Sequence, residues 1–117
     1  MYEKFMKKIE IITRTENLGK VKKILANNEY SGLTVTTVMG CGSQRDGEQD
    51  FELVNNGINL LPKIHIMTVV WDEDLEDILC ELQSSLSTGN VGDGKIFVST
   101  VDDVIRIRNG ERGEKIL

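Results

Sequence analysis

Two strand–helix–strand patterns flank a stretch that has no period of its own, and this arrangement constrains the fold more than any other feature of the chain. Residues 6–13 are rich in isoleucine (Ile9, Ile11, Ile12) with no breaker and predict a strand. Residues 16–28 predict a helix, because Leu18, Val21, Ile24 and Leu25 share one face while Lys20, Lys22 and Lys23 point away. Thr15 is its expected N-cap, and Asn27, Asn28 and Gly32 mark its end. Residues 33–41, dense in Thr34, Val35, Thr36, Thr37 and Val38, predict a second strand. Pro62 then favours an extended Leu61 and introduces a strand over 64–70. Leu75, Ile78, Leu79, Leu82 and Leu86 form a helical stripe, with Asp72 or Asp74 as its cap. A glycine-rich turn leads to a strand at 96–98, and residues 104–108 alternate as a short fifth strand or edge. Residues 112–117 read as a mobile tail.

The order β-α-β-(long loop)-β-α-β is the split βαβ, ferredoxin-like arrangement of an α+β domain. At 117 residues the chain holds one such domain, 1–117. Both helices would cover one sheet face. The other face also carries apolar residues, and self-association is its simplest cover. Between the halves, residues 42–59 are punctuated by Gly42, Gly47 and Gly57 and made acidic by Asp46, Glu48, Asp50 and Glu52. So long a connection inside a small domain is usually functional or mobile, and it is the first pointer to function.

Charge and composition exclude several classes. The net charge of −5 argues against a general nucleic-acid binder. Cys41 and Cys80 are too far apart for a CxxC motif and read as reduced thiols. His65 lies inside an apolar strand without ligand partners and reads as structural or as a pocket wall. No apolar run is long enough for a leader or a membrane span, so a cytoplasmic protein is expected. The acids Asp72, Glu73, Asp74, Glu76 and Asp77 crowd the first turns of the second helix, where the helix dipole favours them, and read as helix support.

Residues 88–95, TGNVGDGK, form a glycine-rich loop in which Gly89 to Lys95 formally satisfy GxxxxGK. A P-loop would follow with Ser or Thr, whereas Ile96 follows here, and this loop leaves a helix for a strand rather than the reverse. Two readings stay open: glycines that let backbone N–H groups approach a phosphate, with Lys95 adding charge, or a tight turn that uses glycine for positive φ. Arg106 and Arg108, two apart on an expected extended stretch, would share a face. Such a pair favours an anion and tilts the balance to phosphate binding.

TGNVGDGKIFV (88–98) followed by VIRIRNGERG (104–113) closely resembles the C-terminal half of the PII nitrogen-regulatory proteins. GLTVTTVMGCGSQ (32–44) resembles the segment entering their long T-loop, and LPK (61–63) the segment leaving it. The resemblance covers nearly the whole chain. It implies a ferredoxin-like homotrimer with nucleotide sites in the clefts between subunits, where ATP and ADP compete. By that resemblance Thr34 would hold the adenine end, and Thr88, Gly92, Asp93, Gly94 and Lys95 would cradle phosphates. Arg106 and Arg108 would approach from the neighbouring subunit, and Gly42 would keep the loop base open. Gln44 would join a Mg2+–ATP–2-oxoglutarate assembly, and Lys63 would pair with the acid.

The departures fall mostly in the T-loop, about 42–60. The tyrosine modified in some members aligns with Asn56 and the serine phosphorylated in others with Val54, so neither covalent modification is expected. The arginine that plugs an ammonium channel aligns with Glu52, a charge reversal that points to another target. Asn90 stands where a lysine is common. The function expected is regulatory: ligand occupancy shifts the T-loop, and a protein partner binds only some of its conformations. The alternatives are a partner-binding scaffold that has lost its nucleotide and a slow ATPase. The sequence offers no general base or nucleophile constellation for the latter.

Overall fold

The computed structural model describes residues 5–41 and 60–113. Gly42, Gln44, Glu52, Val54 and Asn56, on which the T-loop expectations rest, lie outside them, as does the tail beyond Gly113. In chain order the elements are β1 (Met6–Thr13), a 3-10 turn (Thr15–Asn17), α1 (Leu18–Asn27), β2 (Thr34–Cys41), β3 (Leu60–Trp71), α2 (Asp72–Leu86) and β4 (Gly94–Val101). The four strands form one antiparallel sheet in the order β2-β3-β1-β4. This is the ferredoxin-like α+β fold expected.

Alternation fixes the two faces. Ile9 and Ile11 of β1 and Ile64, Ile66 and Val70 of β3 point to one side. They meet Val21, Ile24 and Leu25 of α1 and Leu75, Ile78 and Leu82 of α2 in a single buried core. On the other face Glu10 forms an ion pair with Lys8 (3.8 Å) and contacts His65 Nε2 (3.1 Å), so His65 is a structural partner of a strand carboxylate. Phe97 stands half exposed on that face.

Local boundaries differ from expectation for physical reasons. β3 starts at Leu60 because Pro62 lies where β3 has outrun β1: Thr13, the last residue of β1, pairs with Ile64. Residues 60–63 pair only with β2, so β3 has one open edge there, a place that tolerates proline. β4 is longer than 96–98 because it pairs with the full length of β1. Neither helix takes the expected side-chain cap. Thr15 belongs to the 3-10 turn instead. Trp71 precedes α2, and its N–H donates to the Tyr30 hydroxyl at 3.0 Å, which in turn donates to Asp74. Burial first, then this bond to Asp74, push the Tyr30 phenol up to about 12. The fifth strand is reduced to one bridge, Ile105 with Arg112, which also removes Arg112 from the expected tail.

Candidate functional site

Three segments meet at one end of the sheet: the end of β1, the base of the β2–β3 arm, and the glycine-rich loop entering β4. The register brings them together, since Thr13 lies opposite both Ile64 and Gly94. The approach requires glycine. Gly94 has φ +110°, and a Cβ there would sit 1.9 Å from the Ile12 carbonyl oxygen.

The loop is gripped from behind through successive carbonyl oxygens. That of Val91 accepts from Arg14 Nη2 at 3.2 Å, that of Gly92 from Lys63 Nζ at 2.7 Å, and that of Asp93 from Thr13 Oγ1 at 2.8 Å. A trans peptide is planar, so the N–H of the next residue points opposite to each carbonyl. The amides of Gly92 and Asp93 therefore face away from the strands, and neither has a partner among the described residues. Successive N–H groups facing one way form an anion-binding concavity. Lys95, exposed and without an ion pair among the described residues, adds positive charge just beyond it.

The Asp93 side chain turns back into its own loop. Oδ2 accepts from the amides of Thr88 (2.7 Å) and Gly89 (3.1 Å), while Oδ1 takes the Thr88 hydroxyl and the Arg14 guanidinium. The Thr88 bonds, and after them Arg14, hold this carboxyl well below the usual carboxylate range. Asp93 thus occupies the amides at the start of the loop and leaves those at its end open. Lys63 is pushed below the usual lysine range by burial and then by Arg14. It uses one donor on Gly92, and an ammonium has three. Beside the loop a cleft of about 370 Å³ is lined by apolar Ile11, Leu86 and Ile96 and by polar Thr13, Asp93 and Lys95.

The other expected residues stand apart. Thr34 opens β2, opposite Met67, three strand spacings from β4 and so about 14 Å across the sheet. Arg106 and Arg108 do not share an extended face. Residues 107–109 form a turn closed by the Gly110 amide on the Arg106 carbonyl at 2.8 Å. Arg106 pairs with Glu111 at 2.7 Å, Arg112 with Asp103, and Arg108 has no partner among the described residues. Sequence reasoning missed Arg14, Thr13 and Asn17. The only signal was a polar Thr-Arg pair ending an apolar strand; their role depends on a register that joins residues 80 apart.

The family model "Nitrogen regulatory protein P-II" matches residues 6–111. The chain belongs to the PII family. Nitrogen regulatory protein P-II 2 of Methanothermobacter thermautotrophicus is 45% identical over 111 residues, which span 95% of this chain and 96% of that one. The P-II protein of Rhizobium meliloti is 40% identical over 108 residues, 92% of this chain and 96% of that one. Among solved structures, a B. subtilis GlnK–ATP complex matches with a TM-score of 0.77 and 34% identity, covering 97% of this chain and 98% of that chain. Arabidopsis thaliana PII bound to citrate matches with a TM-score of 0.75 and 32% identity, covering 97% and 92%. PII proteins are regulatory signal transducers, so this chain is a regulator and not an enzyme. No helix among the described residues is long and apolar enough to cross a membrane.

Proposed function

We propose that this PII protein is a cytoplasmic sensor that binds ATP or ADP and reports the occupancy to a protein target through its T-loop. The observation that carries this reading is the pair of outward amides, Gly92 and Asp93, beside Lys95, made available because three side chains of the sheet hold the loop carbonyls. Phosphate oxygens suit such a concavity. The B. subtilis relative of the same fold is an ATP complex, which supports the same ligand here. Thr88, Gly94 and Asp93 shape the loop, Lys95 neutralises phosphate charge, and Thr34 with Gly42 serves the adenine side. In this reading the chain works as a homotrimer, as its family resemblance implies, with Thr34 and the loop contributing to clefts between subunits. Arg106 and Arg108 then reach a neighbour's phosphates.

The same reading gives 2-oxoglutarate to Lys63, which keeps two donors for a carboxylate, and to Gln44. Among the described residues no group of three His, Cys, Asp or Glu side chains can hold a metal ion. Magnesium would arrive on the nucleotide phosphates, with Gln44 as a protein ligand. Nitrogen and carbon status would reach the target as a shift among T-loop conformations.

Calorimetric titration with ADP, then with Mg-ATP in the presence and absence of 2-oxoglutarate, tests this. Mg-ATP binding that tightens with 2-oxoglutarate is the expected result. Nucleotide binding indifferent to 2-oxoglutarate would remove the roles given to Gln44 and Lys63. Absence of binding to either nucleotide would leave a partner-binding scaffold.

A further inference from the structure

We infer that Asn17 and Thr13 are positioning residues: a buried polar relay that sets the conformation of the phosphate loop from the turn preceding α1. Asn17 ends the 3-10 turn at the N-cap position of α1, 6% exposed, and its side chain makes no capping bond. Its Nδ2 donates to Thr13 Oγ1 at 2.9 Å. Thr13 is 1% exposed, and its hydroxyl donates to the Asp93 carbonyl at 2.8 Å. A hydroxyl has one proton. Because the Asn17 amide donates to it, that proton is committed to Asp93.

Thr13 shares the helix-facing side of β1 with Ile9 and Ile11, where valine would fill the same space. Buried polar groups are costly unless paired. Here two of them act in series on one loop carbonyl, Asn17 on Thr13 and Thr13 on Asp93, the residue whose carboxylate ties down Thr88 and Gly89. Holding the Asp93–Gly94 peptide restrains the backbone from which the Asp93 carboxylate reaches Thr88 and Gly89, while Lys63 holds the peptide that carries the Asp93 amide. The consequence for ligand affinity rests on the nucleotide reading above; the consequence for loop order does not.

The test compares Thr13→Val, Thr13→Ser and Asn17→Leu by calorimetric titration with ADP and by amide hydrogen exchange of Thr88 and Gly89 in the ligand-free protein. Thr13→Val is expected to weaken ADP binding about three- to tenfold and to speed exchange of those amides by a similar factor. Thr13→Ser, which restores the hydroxyl, should return both to within about twofold of the wild type. Asn17→Leu should fall between, and the double variant should be no worse than Thr13→Val alone, because the two groups act in series. Asn17→Leu against Thr13→Ser keeps the comparison if Thr13→Val does not fold. A Thr13→Val protein that melts earlier yet keeps wild-type ADP affinity and wild-type exchange at Thr88 and Gly89 overturns the proposal. If the wild type binds no ADP, the nucleotide reading fails, and the relay is decided by the exchange rates alone.

Discussion

The glycine-rich loop and the C-terminal arginine hairpin carry the same kind of sequence evidence, glycines beside cations, yet the structure treats them in opposite ways. The loop is bound to the sheet: Thr13, Arg14 and Lys63 hold its carbonyls, and Asp93 is paired with Arg14. Among the described residues the hairpin is bound only to itself, through Arg106 with Glu111, Arg112 with Asp103, and the Gly113 amide on Val104 at 2.9 Å. Ile107 at its tip is 99% exposed. A loop held by its own sheet is pre-organised, which suits the anion site proposed for it. A hairpin that satisfies itself and presents a bare isoleucine and Arg108 suits a surface supplied by another molecule.

The sharpest way to break this contrast is at the glycines. Gly94→Ala would drive a Cβ into the Ile12 carbonyl at 1.9 Å, and φ is +110°. Its cost is expected to exceed about 4 kcal/mol or to prevent folding. Gly110 also has positive φ (+74°) but meets nothing within 4 Å, so Gly110→Ala should cost only the left-handed strain, about 1–2 kcal/mol. Urea unfolding measures both. Equal losses would mean that the hairpin is as deeply integrated as the loop.

Next in size are the two carboxylates. Asp93→Ala strips partners from the Thr88 and Gly89 amides and from Arg14, and should weaken ADP binding about tenfold or more. Glu111→Ala releases Arg106 and Asn109 within the hairpin, and should change ADP affinity by less than about threefold. Calorimetry on the two variants reads the difference directly. A larger effect at Glu111 would reverse the ranking of the two regions.

The reasons these regions differ were only partly legible in the sequence. Periodicity is local, so the Ile9–Ile11 alternation and the Leu75–Leu86 stripe announced their elements and the buried faces. The grip on the loop is not local. Arg14, Thr13 and Lys63 reach it only because β1 pairs with both β3 and β4 in one register. Pro62 read as the boundary of a strand because its effect depends on whether a neighbour is present, and β1 stops short of it. Arg106 and Arg108 read as one face because alternation ignores the turn through Asn109 and Gly110, which separates them. Nothing in the residue types foretold that Asp93, an acid in a glycine-rich loop, would spend its charge on the loop itself.

Acid should separate the regions more gently. Both Asp93 and Asp103 titrate below the usual value of 3.8, Asp93 through Thr88 and then Arg14, Asp103 through Arg112 and the Val104 amide. A carboxyl whose pKa is depressed by folding contributes stability above its unfolded pKa and loses it as pH falls through the folded one. Both contributions are therefore intact at pH 5 and fade only below about pH 4. Asp93 has more donors and should hold longer, so carboxyl NMR and amide exchange should show the hairpin loosening at a higher pH than the loop. Simultaneous loss would mean that the two are one cooperative unit.

The smallest effect on stability belongs to Arg108. It is exposed and has no partner among the described residues, so Arg108→Ala should leave the unfolding free energy within about 0.5 kcal/mol. Its effect on ligand binding is the informative one. If the hairpin serves a neighbour's loop, Arg108→Ala weakens ADP binding although its own loop is intact, and Asp93→Ala weakens it although its own hairpin is intact. Co-assembling the two variants after mild unfolding would then rebuild sites in which the loop of an Arg108→Ala subunit meets the Arg108 of an Asp93→Ala subunit. Recovery of tight ADP sites in the mixture, absent from either variant alone, is the expected result. No recovery, with mixed assemblies verified by mass spectrometry, would confine the hairpin to its own chain and leave the exposed Ile107 and Arg108 to the target protein instead.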